Sequence, residues 1–523
     1  MHRSTTLPAH DTSLIESLLQ PHAFSHPAAN IELIETHISW LILAGDYAYK
    51  IKKPVVLDFL NFGDLERRQF FCEKELRLNQ PWAPDIYLGV VPITLEDGQA
   101  RFGGSGEAIE FAVQMRRFDQ ALRLDQQLEA GNLTVADMRE LAGNIAARHS
   151  AAERIDATQR SRVLELTQTF MEDNLSALDG FVDARVVSQL REWTDKELAH
   201  SRSLLAQRFD GGFVRDCHGD LHLGNLVRLA DGITTFDCIE FNTDFRHIDV
   251  MCDIAFLIMD LVERKRHDLA AHFLNRYLEA TGDYGGVAVL SLFLVYRCLV
   301  RAKVAVIRSQ GREEAADRDD DLREAFAYCD MAMRQATDRT PLLILMHGLS
   351  GSGKSFASGQ LMAALPAIRL RSDIERKRIF RLGESAPSHS AVGGGIYTDE
   401  ANRDVYEHLF EMAGPILRAK HNVILDAAFL TEAQRAALVS VASECNCTAV
   451  IVEVTAPDDV LRERLRQRSR QRSEPSEADV AVLEHQLSTR EPLTPAERRW
   501  AVVCENPDAF DVADLVSQVK ALT

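Results

Sequence analysis

The sequence predicts two domains of different class: a mixed α+β region first, then an α/β region built on a parallel sheet. Three observations predict this. A length of 523 residues exceeds what one ordinary hydrophobic core organises. Near the start, three short β-prone runs follow one another across tight connections, as in an antiparallel sheet, and helical periodicity takes over from Arg123 onward. After Pro341, an apolar run leads directly into GLSGSGKS and a helix, and strands and helices then alternate. The expected domains are therefore residues 1–335, with a small lobe over about 25–118 and a helical lobe over 119–335, a linker at 336–340, and a second domain over 341–523.

The first helix is expected over 12–20, and strands over Ile31 to Glu35, Trp40 to Leu43 and Tyr47 to Ile51. Ala48-Tyr49-Lys50 resembles the A-x-K of a kinase third strand, whose lysine contacts nucleotide phosphates and pairs with a helix glutamate. Lys50 is the first choice for that lysine. Lys52 lies two residues on, on the same strand face, and is the alternative, while Lys53 is expected to be solvated. The partner falls on the helix LERRQFFCEKELRLN, Leu65 to Asn79, with Glu75 the candidate and Glu73 the alternative. The turn between the first two strands, Thr36 to Ser39, contains no glycine, unlike a eukaryotic protein kinase. Ile109 to Phe118 reads as the strand leading into the adenine hinge.

The helical lobe carries VRDCHGDLHLGNLVRLADGITTFDCIEFN, Val214 to Asn242. Asp220 follows His218 by two residues and Asn225 follows Asp220 by five, the H-x-D-x-x-x-x-N spacing of a kinase catalytic loop; Asp237 comes after a short hairpin. The chemistry needs a carboxylate to orient and deprotonate a hydroxyl, plus oxygen ligands for Mg²⁺. Asp220 is the candidate base, and Asn225 and Asp237 are the candidate metal ligands. A hydrolytic metal site built on His218, Asp220 and His222 is the alternative use of the same letters.

HGDLHLGN followed by FDCIEFN resembles the aminoglycoside phosphotransferase family, small-molecule kinases with a bilobal, protein-kinase-like fold. The resemblance implies ATP and Mg²⁺ as cofactors, and implies that Asp249 and Asp253 in RHIDVMCDIAFL brace the catalytic loop. Further on, Arg297, Arg301 and Arg308 share one helix face, fit either for an anionic substrate or for answering the chain's acids.

Residues 348–355 are a complete Walker A motif in its strand–loop–helix setting. Gly348, Leu349, Ser350, Gly351, Ser352 and Gly353 would wrap phosphate with backbone N–H groups, Lys354 would reach the outer phosphates, and Ser355 would bind Mg²⁺. Further strands are expected at Ile368 to Ser372, Val423 to Leu425, Ala449 to Val454 and Ala501 to Cys504. LRSDIERKR, NVILDAAFL and the arginine-rich segment resemble the P-loop kinase group that includes polynucleotide kinase, zeta toxins and chloramphenicol phosphotransferase. That resemblance makes Asp373 the candidate base. Asp426, ending an apolar strand, is the candidate Walker B acid. Within LRERLRQRSRQR, Arg466 and Arg470 are the candidate lid arginines over the ATP phosphates.

A formal charge of −19, with the acid excess concentrated before residue 341, argues against nonspecific nucleic-acid binding over the whole surface. The nine cysteines form no C-x-x-C pair, so neither a disulfide framework nor a zinc module is indicated. The N-terminal stretch lacks an apolar signal core, and a reducing cytoplasm fits best. The expected function is ATP-dependent phosphorylation of a hydroxyl on a small molecule at two nucleotide sites. The alternatives are a first domain that only binds or regulates, and a nucleic-acid 5'-hydroxyl kinase.

Overall fold

A computed structural model of the chain describes residues 9–57, 60–312, 314–384, 386–390, 393–471, 477–505 and 511–522. These residues form two compact units. The first holds the described residues up to Asp137, with Ala151–Thr167 and Arg208–Leu257; the second holds Met138–Ser150, Gln168–Gln207 and the chain from Ile258 onward. The helices on both sides of the expected linker thus belong to the unit that carries the parallel sheet.

In the first unit a six-stranded antiparallel sheet has the order Glu32–Glu35, Ser39–Ala44, Tyr47–Lys52, Ala108–Arg116, Tyr87–Glu96, Gln99–Phe102. Gly45, at φ +57°, makes the tight turn that registers Ala44 against Tyr47. The side chains of Trp40, Ile42, Tyr49 and Ile51 pack with Phe24, Phe102 and Ala112 into one apolar layer. Burying each such side chain contributes about 1.5–3 kcal/mol. Leu65–Asn79 starts at Asp64, whose carboxylate accepts from the Arg67 N–H. Its buried face is Arg68, Cys72, Glu75 and Asn79, spaced as one helix face but mostly polar. That face lies against the sheet because its charges are paired there: Arg68 Nε binds Glu110 at 2.8 Å, and Glu75 binds two lysines.

Lys53, expected in solvent, is buried. Its ammonium reaches Glu35 and the Thr36 carbonyl, both at 2.5 Å, and lies over Trp40. In a turn without glycine, this lysine satisfies the carbonyl at the bend.

In the second unit five parallel strands have the order Ala367–Arg371, Asn422–Asp426, Leu342–His347, Thr448–Thr455, Ala501–Glu505. The central strand, LLILMH, is buried at all six positions, as a strand covered on both faces must be. Ile344, Met346, Ile424, Val450 and Val452 pack with Ala357 and Leu361 of the helix Lys354–Ala364. The edge strand Ala367–Arg371 is closed by one side chain of the helix His267–Thr281. Asn275 Nδ2 donates to the Ala367 carbonyl at 2.9 Å, and its Oδ1 accepts from the Arg369 N–H at 2.7 Å. One amide thereby does at this edge what a neighbouring strand would do. Arg301 and Arg308 of Val287–Gln310 bind Glu324, and Arg308 also binds Asp321, so the arginine stripe answers acids of the next helix. Among the described residues, no helix is long and apolar enough to cross a membrane.

Candidate active sites

The first site sits between the antiparallel sheet, the Glu75 helix and the loop 217–242. Lys50 Nζ binds Glu75 at 2.9 Å and Asp237 at 2.5 Å. Lys52 Nζ takes the other oxygen of Glu75 at 2.7 Å and Glu240 at 2.5 Å. Exposure separates the two lysines: the Lys50 side chain is 17% exposed and its Asp237 partner 46%, whereas Lys52 is fully buried. Lys50 therefore faces the open side of the site and Lys52 braces it from within. Glu73 is exposed and bonds Gln69 on its own helix.

Burial by itself pushes the Glu75 carboxyl up, but Lys50 and Lys52 outweigh it and hold the group down at about 2. Burial dominates at Glu240, whose carboxyl is raised despite Lys52. Glu240 was not found from sequence, and its only signal was a position three residues after Asp237. Tyr87 was also missed; its hydroxyl accepts from the Asp237 N–H at 3.0 Å, and Asp237 stands at φ +61°, a left-handed conformation that aspartate tolerates better than most side chains.

Asn225 Nδ2 donates to Asp220 twice, to the carbonyl at 3.0 Å and to Oδ2 at 2.9 Å. This leaves the amide oxygen of Asn225 as an acceptor, the kind of ligand a hard cation takes. Gly219, at φ +85°, has to be glycine, since a Cβ there would stand 2.8 Å from the Phe245 carbonyl. Asp253 accepts from the N–H groups of Gly219 at 2.8 Å and His218 at 3.2 Å, and Asp249 takes a two-pronged pair from Arg208 at 2.7 and 2.8 Å. The imidazoles bond the loop backbone, and His222 Nε2 also lies 3.4 Å from Asp220 Oδ2. His218 bonds the Phe236 carbonyl and the Asp220 N–H through its two nitrogens, and His222 Nδ1 accepts from Gly224. Burial lowers the His218 pKa, in keeping with a neutral ring.

The second site follows the central strand of the parallel sheet. Gly348, Gly351 and Gly353 take φ values of +147°, +82° and +95°, and a Cβ on Gly348 would fall 2.3 Å from the Val454 carbonyl. Leu349 is buried under the loop, and the Ser350 N–H donates to Gln486 Oε1 at 2.8 Å. The Ser352 hydroxyl is buried with no hydrogen-bond partner among the described residues. A loop of turned glycines with an unsatisfied buried hydroxyl fits a phosphate. Lys354 Nζ donates to the Leu349 carbonyl at 2.8 Å, and burial pulls its pKa down to about 8 against the opposing pull of Asp426 and Asp373. Ser355 is exposed in the first turn of its helix. Asp426 is buried at its strand end, in register with Arg371, and accepts from Ser358 Oγ at 2.9 Å. Asp373 stands in the first turn of Ser372–Ile379, two residues past Arg371. The residues present therefore fit a nucleotide with Mg²⁺: backbone N–H groups and Lys354 for phosphate, Ser355 and Asp426 for the metal.

Of the arginines on Asp458–Gln471, those nearest the P-loop differ from the two expected over the phosphates. Arg466 lies on the exposed face of Asp458–Gln471, 3.7 Å from Glu463. The Arg470 side chain lies outside the described residues. Arg464 Nη1 instead donates to the carbonyls of Gly351 and Ser352 at 3.2 and 3.4 Å. Arg468 is half-buried, bonds the Ala478 carbonyl, and is close enough to Lys354 to lower its pKa. The physical reason is phase: Leu461 and Leu465 are buried, and Arg464 and Arg468 flank that stripe while Arg466 does not.

Residues 107–290 match the phosphotransferase enzyme family, and residues 343–493 match the AAA domain family. An uncharacterized protein of Mycobacterium tuberculosis and one of Mycobacterium bovis are each 30% identical to this chain over 450 residues, spanning 84% of it and 87% of the relative. Among solved structures, a choline/ethanolamine kinase family protein from Mesorhizobium loti is 12% identical, over 62% of this chain and 97% of that one, with a TM-score of 0.38. A gluconokinase from Sinorhizobium meliloti 1021 is 20% identical, over 35% and 93%, with a TM-score of 0.25. The chain belongs to the same family as these mycobacterial proteins, and is a kinase that joins a domain of the phosphotransferase enzyme family to an AAA-type P-loop domain.

Proposed function

We propose that both domains bind ATP with Mg²⁺, and that each transfers the γ-phosphate to a hydroxyl of a small molecule. The observation that carries this reading is the Lys50 ammonium, bonded at once to Glu75 of the helix and to Asp237 of the loop. A lysine held this way is placed to meet nucleotide phosphates beside the metal-binding acid. Asp220 acts as the base toward the acceptor hydroxyl, with its carboxylate fixed by Asn225. Asn225 and Asp237 hold Mg²⁺, which neutralises charge on the phosphates. In the P-loop domain Lys354 and the loop N–H groups hold the phosphates, Ser355 and Asp426 hold the metal, Asp373 serves as the base, and Arg464 and Arg468 close over the transferred group.

Counting bound nucleotide tests the reading without knowledge of the acceptor. Equilibrium dialysis with ADP and Mg²⁺ is expected to give two sites per chain, one of which is lost in Lys354→Ala and the other in Asp237→Ala. A single site in the wild type, insensitive to Asp237→Ala, would overturn the two-site reading.

A further inference from the structure

The hydroxyl of Ser358 has one proton and two possible acceptors. Its Oγ lies 2.9 Å from Asp426 Oδ2 and 3.2 Å from the Ser355 carbonyl one turn earlier. The carboxylate is the closer and the charged acceptor, so the hydroxyl proton goes to Asp426. Arg369 supports that direction: its Nη1 donates to the Ser355 carbonyl at 3.3 Å and to a lone pair of Ser358 Oγ at 3.4 Å.

Arg369 is itself aimed from outside the P-loop region. Its Nη2 binds Glu279 Oε1 at 3.3 Å, on the helix His267–Thr281 whose Asn275 also closes the edge strand. Glu279 is shared with Arg371 and Arg276, each at 3.7 Å. Glu279, Arg369, Ser358 and Asp426 are all more than nine-tenths buried. Charged groups so deep are costly to move away from their partners, and these stay linked through Arg369 Nη1 and Nη2 even though Glu279 Oε2 and Arg369 Nε have no hydrogen bond among the described residues.

We propose that Glu279, Arg369 and Ser358 are positioning residues for the Mg²⁺ site of the P-loop. They hold one oxygen of Asp426 in a fixed hydrogen bond and leave the other to the metal. This rests on the reading of Lys354, Ser355 and Asp426 as the nucleotide and Mg²⁺ site. It also gives that site a dependence on a helix that precedes the P-loop by more than sixty residues of sequence.

Direct metal binding is the test, because it reports on the site apart from turnover. Mn²⁺ is titrated by electron paramagnetic resonance into the full chain with saturating ADP, in an Asp237→Ala background that removes the other metal site. Ser358→Ala takes away one hydroxyl, and Arg369→Met removes the charge at similar length; thermal melts establish that each variant is folded. Both are expected to weaken Mn²⁺ binding by about tenfold or more, as removal of groups that orient metal ligands does, while metal-free ADP affinity changes little. Glu279→Gln is expected to act in the same direction. Mn²⁺ affinity unchanged in folded Ser358→Ala and Arg369→Met overturns the inference. If the Asp237→Ala protein takes up no Mn²⁺ with ADP, or if adding Lys354→Ala leaves its uptake intact, the P-loop reading itself fails, which is a distinct result.

Discussion

Lys50 and Lys52 each bind one oxygen of the same carboxylate, that of Glu75, at 2.9 and 2.7 Å. Standing two residues apart on one strand, they point to the same side, and the deeper of the two is spent on structure. Lys52 lies between Glu75 and Glu240 over the ring of Phe62, while Lys50 turns its ammonium to Asp237.

Replacing the two lysines should therefore have different consequences. Lys52→Ala leaves Glu240 buried without its lysine, while Glu75 keeps Lys50, and is expected to cost about 3–5 kcal/mol of stability. Lys50→Ala leaves Glu75 paired with Lys52 and is expected to lower turnover at the first site by about 10²-fold or more with a small change in stability. Urea denaturation and single-turnover kinetics check the pair. Equal destabilisation by both variants would contradict the division of labour.

Acid should weaken the same cluster. Glu75 is held at about 2 in the folded chain, below its ordinary value near 4.5, so the stability it contributes is complete above pH 4.5 and is lost as pH falls toward 2. Glu240 opposes this, because its raised carboxyl takes up a proton in the folded state first. Glu240→Gln is accordingly expected to raise stability at neutral pH relative to acid, as measured by the urea midpoint against pH. A midpoint whose pH dependence matches the wild type would contradict this assignment.

Lys354 gives the second site a pH dependence of opposite origin. With its pKa lowered to about 8, it costs stability below pH 8, and that cost is relieved as pH rises toward 10.5, where the unfolded lysine also loses its proton. The same loss of charge removes a phosphate partner. ADP affinity at the P-loop is therefore expected to fall as pH rises through 8, read by calorimetry in the Asp237→Ala background, and to stay flat in Lys354→Arg.

The lid helix separates its arginines by phase. Arg468→Ala is expected to lower turnover at the second site by about 10³-fold, the lower end of what an arginine on a transferred phosphate contributes. Arg466→Ala, on the exposed side of the helix, should leave it within about twofold. Steady-state kinetics on the two variants decides between the faces.

Both motifs and the five strands of the parallel sheet were legible because their signals are local, whereas Tyr87–Glu96 and Gln99–Phe102 of the antiparallel sheet were not predicted. HGDLHLGN and GLSGSGKS each lie within a few residues, and an apolar run such as LLILM announces a strand buried on both faces. What the sequence left open was set by contacts distant along the chain. Lys50 and Lys52 are alike until Glu240 and Asp237 arrive from nearly two hundred residues away. Lys53 looked solvated because nothing nearby shows that the Thr36 carbonyl needs a donor. The arginines of 462–470 surround the helix, and only the burial of Leu461 and Leu465 against Leu483 and Leu349 fixes which of them turn inward. Arg369, inside an apolar strand, carried a signal that could have been used: a charge at such a position calls for a buried partner, here Glu279.

The most direct test of two kinase sites in one chain is Mg²⁺-dependent ATP turnover by the wild type, Asp220→Ala and Lys354→Ala. Each is assayed with a panel of aminoglycosides, nucleosides, sugars and 5'-hydroxyl oligonucleotides. Each mutation is predicted to remove a separate acceptor-dependent activity by about 10²-fold or more, as loss of a base or of a phosphate clamp does. If Asp220→Ala leaves every activity unchanged while Lys354→Ala abolishes turnover, the first domain performs no phosphoryl transfer and the account is contradicted.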